Sequence, residues 1–138
     1  MKKRVVRLIA LILVFLLMLS NVAFAAMNAS EYINVASAWI TLDGNTVKVH
    51  FCVIGTDTMD QIGVKYIYLY EKNGITWSLK QIFNYTDPLY SAAMMDANTT
   101  LHSGNVSYLG SATKEYYASC WSYAEKNGGS DMVQHNAY

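Results

Sequence analysis

A chain of 138 residues with ten basic and ten acidic side chains reads as neutral, but the balance is local. Four of the basic residues, Lys2, Lys3, Arg4 and Arg7, stand in the first seven positions, and the rest carries six lysines, ten acids and no arginine, a net charge near −4. Such a surface lacks the clustered cations that bind phosphate backbones or anionic lipid, and the guanidinium fork that clamps carboxylates, so nucleic acid is excluded as a partner.

After the basic start comes an apolar run over residues 8–19, then the polar pair Ser20-Asn21 and the small-residue pattern Ala23-Phe24-Ala25. This is the three-part layout of an export signal, with the cut placed between Ala25 and Ala26. The run is shorter than the roughly twenty residues a membrane-crossing helix needs. An uncleaved N-terminal anchor is the rival reading. No Cys follows the run as a lipoprotein requires, and no second apolar stretch or basic tail precedes Tyr138. The expectation is a signal-peptide helix over 1–25, a secreted domain over 26–138, and no stable membrane anchor after cleavage.

The domain holds all eleven Tyr and all three Trp but a single Pro, a composition suited to pleated, half-buried strands and opposed to disorder. Residues 32–42 are β-prone, and Asp43-Gly44-Asn45 turns the chain. Residues 46–53 alternate strictly: Val47, Val49, Phe51 and Val53 share one face, and Lys48, His50 and Cys52 the other. Gly55-Thr56-Asp57 is expected to end that strand. A third strand over 62–71 leads through the tight turn Asn73-Gly74 into a fourth over 75–83. Asp87-Pro88 marks a turn, and 89–95 fits a short irregular strand or one helical turn. Residues 98–105 are rich in turn formers, 106–109 read as a short strand, and 114–124 as a long aromatic one. Lys126-Asn127-Gly128-Gly129 makes a final turn, after which 132–138 forms an edge strand.

About seven strands separated by turns predict an all-β antiparallel sandwich; a small closed barrel would share the pattern. The pattern Tyr116-x-Ala118-x-Cys120, followed by Trp121-Ser122-Tyr123-Ala124, resembles the sixth strand of immunoglobulin-like and fibronectin type III-like sandwiches. In layout, the region after the signal also resembles small secreted proteins of Gram-positive, Clostridia-type bacteria, a likeness that carries no catalytic or binding residues. In an immunoglobulin-like sandwich the strands of Cys52 and Cys120 face one another across the core and a disulfide joins them. Closing so long a loop stabilises by roughly 4 kcal/mol on the chain-entropy model. Against the bridge, strict alternation puts Cys52 on the face of Lys48 and His50, away from the core, so two free thiols remain the alternative.

Signals for chemistry are sparse. His50, His102 and His135 have no metal-ligand spacing, and no G-x-S-x-G, H-E-x-x-H or phosphate loop occurs. No cofactor is implied. His50 beside Cys52 would be the pair for a thiol or metal hydrolase, though a nucleophile needs its base spatially adjacent and oriented by a third group. Asp57 and Asp60 suit a solvated turn better than a Ca²⁺ loop. The Asn-x-Ser/Thr sequons at Asn28, Asn84, Asn98 and Asn105 matter only in a eukaryotic secretory route. The expectation is therefore a protein that is not an enzyme.

One pattern rises above this background. Tyr66, Tyr68 and Tyr70 alternate with Ile67 and Leu69, while Tyr117, Trp121 and Tyr123 alternate with Ala118 and Cys120. On neighbouring strands, with Trp77 on the hairpin partner, they would form one aromatic face able to bind an extracellular protein or glycan. The bland alternatives are a set of cross-strand pairs that only stabilises the sheet of a structural or envelope-associated protein, or a row in which Tyr66, Tyr68 and Tyr70 point into the core.

Overall fold

A computed structural model describes residues 30–138. The signal, its Ala25–Ala26 junction and the sequon at Asn28 lie outside the described residues.

Antiparallel strands account for almost everything else. They are β1 (Ile33–Asp43), β2 (Thr46–Asn73), β3 (Thr76–Asn84), β4 (Met95–Leu109), β5 (Tyr116–Lys126) and β6 (Gly129–Ala137). One short helical turn, α1 (Ser91–Met94), precedes β4. All six strands belong to one sheet, which curls into a half barrel.

The organising element is β2. Its first part pairs with β1 on one side and β4 on the other; its last part pairs with β5 and β3. Two strands were expected where one 28-residue strand runs, because Gly55-Thr56-Asp57 bends the chain instead of ending the ladder. Between Ile54 and Met59 the partner β4 advances only from Leu101 to Thr99, so Thr56, Asp57 and Thr58 bulge into solvent. A second irregularity between Val64 and Tyr66 leaves Lys65 as the extra residue against β5. At Gly63, φ is +154°, and an added Cβ would lie 2.1 Å from the Met94 carbonyl oxygen. Only glycine lets α1 approach the bend that closely.

Local signals elsewhere were legible. Asn73-Gly74 does make the β2–β3 hairpin, with Asn73 opposite Thr76 and Gly74 at φ +64°. Asn127 and Gly128, at φ +52° and +80°, close β5 onto β6 in the left-handed conformation that two-residue hairpins favour. The turn formers over 98–105 misled: Asn98 takes φ +55° at the kink, yet the segment is strand throughout.

Period two then sorts the side chains. Inside lie Val47, Val49, Phe51, Val53, Ile62, Val64, Ile67, Leu69, Phe83, Val106, Ala118 and Cys120, with Ala36, Ala38 and Ile40 packed against them from β1. Fully burying each larger aliphatic or aromatic side chain contributes about 1.5–3 kcal/mol, which offsets the ordering of the backbone. The curl is deep enough to bring the two ends of β2 together. Gly110 follows the β4 residue opposite Thr46, and an added Cβ there would lie 2.4 Å from the hydroxyl of Tyr116, the residue opposite Glu71.

Where β1 meets β6 the sheet nearly closes on itself. The Asp131 carboxylate accepts from the Ser30 hydroxyl (2.7 Å) and from the amides of Glu31 (2.6 Å) and Tyr32 (3.0 Å). At the other end of this seam, the Ile40 amide donates to the Tyr138 carbonyl at 3.4 Å. Between these points both ring nitrogens of His135 are buried without a partner, near the backbones of Val133 and Ser37. Among the described residues no helix is long and apolar enough to cross a membrane.

Candidate functional site

Register fixes which side chains share the outer face. Tyr66 lies opposite Trp121, Tyr68 opposite Ser119, Tyr70 opposite Tyr117, and Lys72 opposite Trp77. The three tyrosines of β2 therefore point outward, on the same side as Tyr117 and Trp121. Leu79 and Ile82 extend the face along β3.

The rings are not equivalent. Tyr70 and Tyr117 stack in parallel with centroids 4.6 Å apart and planes at 4°. Tyr138 covers the opposite side of Tyr117 at 6.0 Å and 27°, and Trp77 meets it at 88° and 4.9 Å. Tyr117 is thus held between rings from β2, from β3 and from the residue that follows β6, and burial pushes its phenol pKa up, with Tyr70 and Tyr138 adding to the shift. Tyr66 contacts Tyr68 at 6.4 Å and Tyr85 edge-on at 6.5 Å. Tyr123 shares the outer side but is only 6% exposed, because the Lys65 ammonium sits 3.6 Å from its ring centroid. Its hydroxyl donates to Glu125 at 2.5 Å, and burial is the main reason its pKa rises.

At the other extreme, Trp77 is 40% exposed and Tyr138 76%. They flank a cleft of about 340 Å³ completed by Ile40, Leu42, Lys114, Glu115 and Tyr116. Its wall is rigidly held. The Tyr116 hydroxyl accepts from the Ser111 amide (2.8 Å) and donates to Glu71 (2.9 Å), whose other oxygen pairs with Lys80 at 3.3 Å. The Tyr116 bond is the main reason the Glu71 carboxyl stays below its ordinary range, while burial raises the Tyr116 phenol. Glu115 pairs with Lys72 at 2.7 Å, and Lys114 makes no ion pair among the described residues. Tyr138 lies one residue past β6, in phase with the outward Gln134 and Asn136, and no pattern in the sequence signals that it would join this face. A second hollow, of about 410 Å³ beside α1, is lined by Gln61, Tyr85, Ser91, Ala92, Met95, Asp96 and Ala97.

The residues considered for chemistry are otherwise engaged. The His50 ring stacks on Trp39 (5.2 Å, 5°), and its Nε2 is 2.8 Å from the Thr41 hydroxyl, so β1 rather than Cys52 orients it. Cys52 is half-buried on the outer side and Cys120 is fully buried inside; both are free thiols. Burial pushes the Cys120 thiol up to about 12, which keeps it protonated. Asp57 pairs with Lys126, and Asp60 accepts the Asn127 amide at 2.7 Å, so both carboxylates fasten the β5–β6 turn to the bend in β2. His102 places Nε2 2.7 Å from the Ala93 carbonyl and holds α1 to β4. Among the described residues no three His, Cys, Asp or Glu side chains cluster as a metal site.

Comparison with known protein families, with curated proteins and with solved structures finds no match for this chain. The functional reading therefore rests on the aromatic face and the cleft that ends it.

Proposed function

We propose that this is an exported, non-catalytic binding module that recognises an extracellular protein or glycan through the outer face of β2, β3 and β5. The observation that carries this reading is the pair of accessible rings, Trp77 and Tyr138, on a rigid cleft continuous with the tyrosine stack. Exposed aromatics on a fixed scaffold bind at low conformational cost, because few torsions are left to immobilise. Export follows from the N-terminal pattern of basic, apolar and small residues, which delivers the module outside the cytoplasm after cleavage at Ala25.

The immunoglobulin-like layout belongs to the same proposal, with the two arms of the bent β2 serving as the two layers. It is supported by Tyr116, whose hydroxyl takes the backbone amide five residues upstream as in the tyrosine corner of such domains. The spacing departs from that motif, since Tyr116 precedes Cys120 by four residues rather than two.

A second reading, a structural protein whose aromatics only brace the sheet, is favoured by one observation: Tyr117 has neighbouring rings on both faces. The two readings assign different jobs to different rings. Retention on immobilised bacterial wall, mucin and extracellular matrix protein would be measured for the wild type, Trp77→Ser and Tyr117→Ser. Binding predicts that Trp77→Ser keeps its melting transition and loses retention, whereas Tyr117→Ser is destabilised by roughly 1–3 kcal/mol through lost ring pairs. Equal retention by wild type and Trp77→Ser would leave bracing as the better account.

A further inference from the structure

We infer that the cleft between Trp77 and Tyr138 takes a pyranose ring of an uncharged oligosaccharide, an assignment that rests on the binding reading above and narrows it to one ligand class. The lining has the two properties that a sugar ring demands. Its apolar lining comprises two rings, Trp77 and Tyr138, and two aliphatic side chains, Ile40 and Leu42. Sugar C–H faces pack on such rings because the ring face is electron-rich and sheds its water easily.

Around these walls stand polar groups with unused capacity. Glu115 gives one carboxylate oxygen to Lys72 and leaves the other free. Lys114 offers an ammonium with no ion-pair partner, and the Tyr138 hydroxyl forms no hydrogen bond among the described residues. Donors and acceptors ringing an apolar slot match the hydroxyl rim of a pyranose.

Charge and size point the same way. With Glu115 paired to Lys72, the rim keeps one exposed, solvent-screened ammonium, Lys114, which is too little to hold an ionised ligand by charge alone. A volume of about 340 Å³ lies at the small end of the roughly 300–1,000 Å³ typical of small-molecule sites. A folded protein partner would instead need on the order of 800 Å² of complementary surface per side. The parallel Tyr70–Tyr117 pair offers little more, since each ring already covers a face of the other.

The test uses the domain, with backbone amide NMR and tryptophan fluorescence, titrated separately with cellohexaose, mannohexaose, chitohexaose and a gelatin peptide digest at millimolar concentration. At least one sugar is expected to give saturable shifts confined to Leu42, Trp77, Lys114, Glu115 and Tyr138. Trp77→Ala should weaken that sugar about tenfold or more, with the remaining amide spectrum unchanged. Lys114→Ala, remote from the core, should weaken it while leaving the melting transition in place. Absence of saturable shifts with all three sugars overturns the inference, as does binding confined to the peptides. In either case the retention experiment decides the parent reading: loss of retention in Trp77→Ser keeps the face as a protein-binding surface, and no loss removes both.

Discussion

The two arms of the sheet bury the same kind of surface and expose opposite kinds. On the β1–β2–β4 arm, Val47, Val49, Phe51 and Val53 point inward, while Ser37, Thr41, Lys48, His50, Cys52, Ser103, Asn105 and Ser107 line the outside. Trp39, Leu109 at the end of β4 and, near the bend, Val35, Ile54 and Leu101 are the apolar exceptions. On the β3–β2–β5–β6 arm, Ile67, Leu69, Phe83 and Cys120 point inward in the same way, yet Tyr66, Tyr68, Tyr70, Trp77, Leu79, Ile82, Tyr117 and Trp121 line the outside. Stability requires one apolar face per strand, and both arms meet that need. The second apolar face goes beyond that need, although the rings around Tyr117 also brace the sheet. On the binding function proposed above, this second face is the recognition surface.

The largest expected effect tests the half of this comparison in which the arms agree. Phe51→Ala and Phe83→Ala each remove a fully buried ring, one per arm, and each should cost about 3–5 kcal/mol in chemical denaturation. A loss below about 1 kcal/mol at Phe83 would mean that the C-terminal arm does not share the core. Any effect of these variants on binding should follow from unfolding alone.

A smaller effect concerns the seam that joins the arms. The ring nitrogens of half-buried His135 are shut away from solvent, and its imidazole pKa lies below the ordinary 6.5, chiefly because burial disfavours the charged ring. The unfolded chain then takes up a proton that the folded chain refuses, so stability falls as pH drops through 6.5 toward the folded value. Asp131 is also held below its ordinary value, first by the Ser30 hydroxyl and then by backbone amides. Its contribution is complete above 3.8 and is lost as pH falls through the folded pKa. Melting curves against pH should show a decline beginning near 6.5 and a further one below 3.8. His135→Phe should flatten the first, and Asp131→Ala should lessen the second, to which Asp57 and Glu71 also contribute, at a cost of roughly 1 kcal/mol near neutrality. An unaltered first decline in His135→Phe would mean that His135 does not carry it.

The smallest effect leaves stability untouched and reads the two faces chemically. Under native conditions an alkylating reagent should modify Cys52, on the outer side, and spare Cys120, whose thiol is buried and fully protonated. Cys120 should react only on unfolding. Mass spectrometry that finds neither thiol reactive until a reductant is added would instead establish a Cys52–Cys120 bridge.

Much of this was legible in the residues because the signals are local. Val47 to Val53 alternate in a way only a half-buried strand explains, Gly74 and the pair Asn127-Gly128 supply the φ values their hairpins need, and Tyr66, Tyr68 and Tyr70 sit in phase. Two features resisted. Gly55-Thr56-Asp57 has the composition of a strand end, yet pairing with β4 resumes beyond it at Met59, and that pairing depends on a segment some forty residues away. Asn98 to Asn105 looks like loop because polar and small residues suit an exposed strand as well as a turn. Tyr138 gained meaning only from its neighbours.

The sequence by itself determined an all-β chain and which residues of each strong strand share a face, the tyrosine row among them, since alternation and turn chemistry act between residues close along the chain; which way that row points was decided by the sheet. Tertiary structure alone decided that β2 serves both arms, that Asp57 and Asp60 clasp a turn, and that the cysteines stand on different sides. It also separated Tyr117, enclosed by other rings, from Trp77 and Tyr138, which border open space. Identical aromatic residues differ in this way because accessibility depends on strand pairing and curl, which follow from the whole sheet closing over one core.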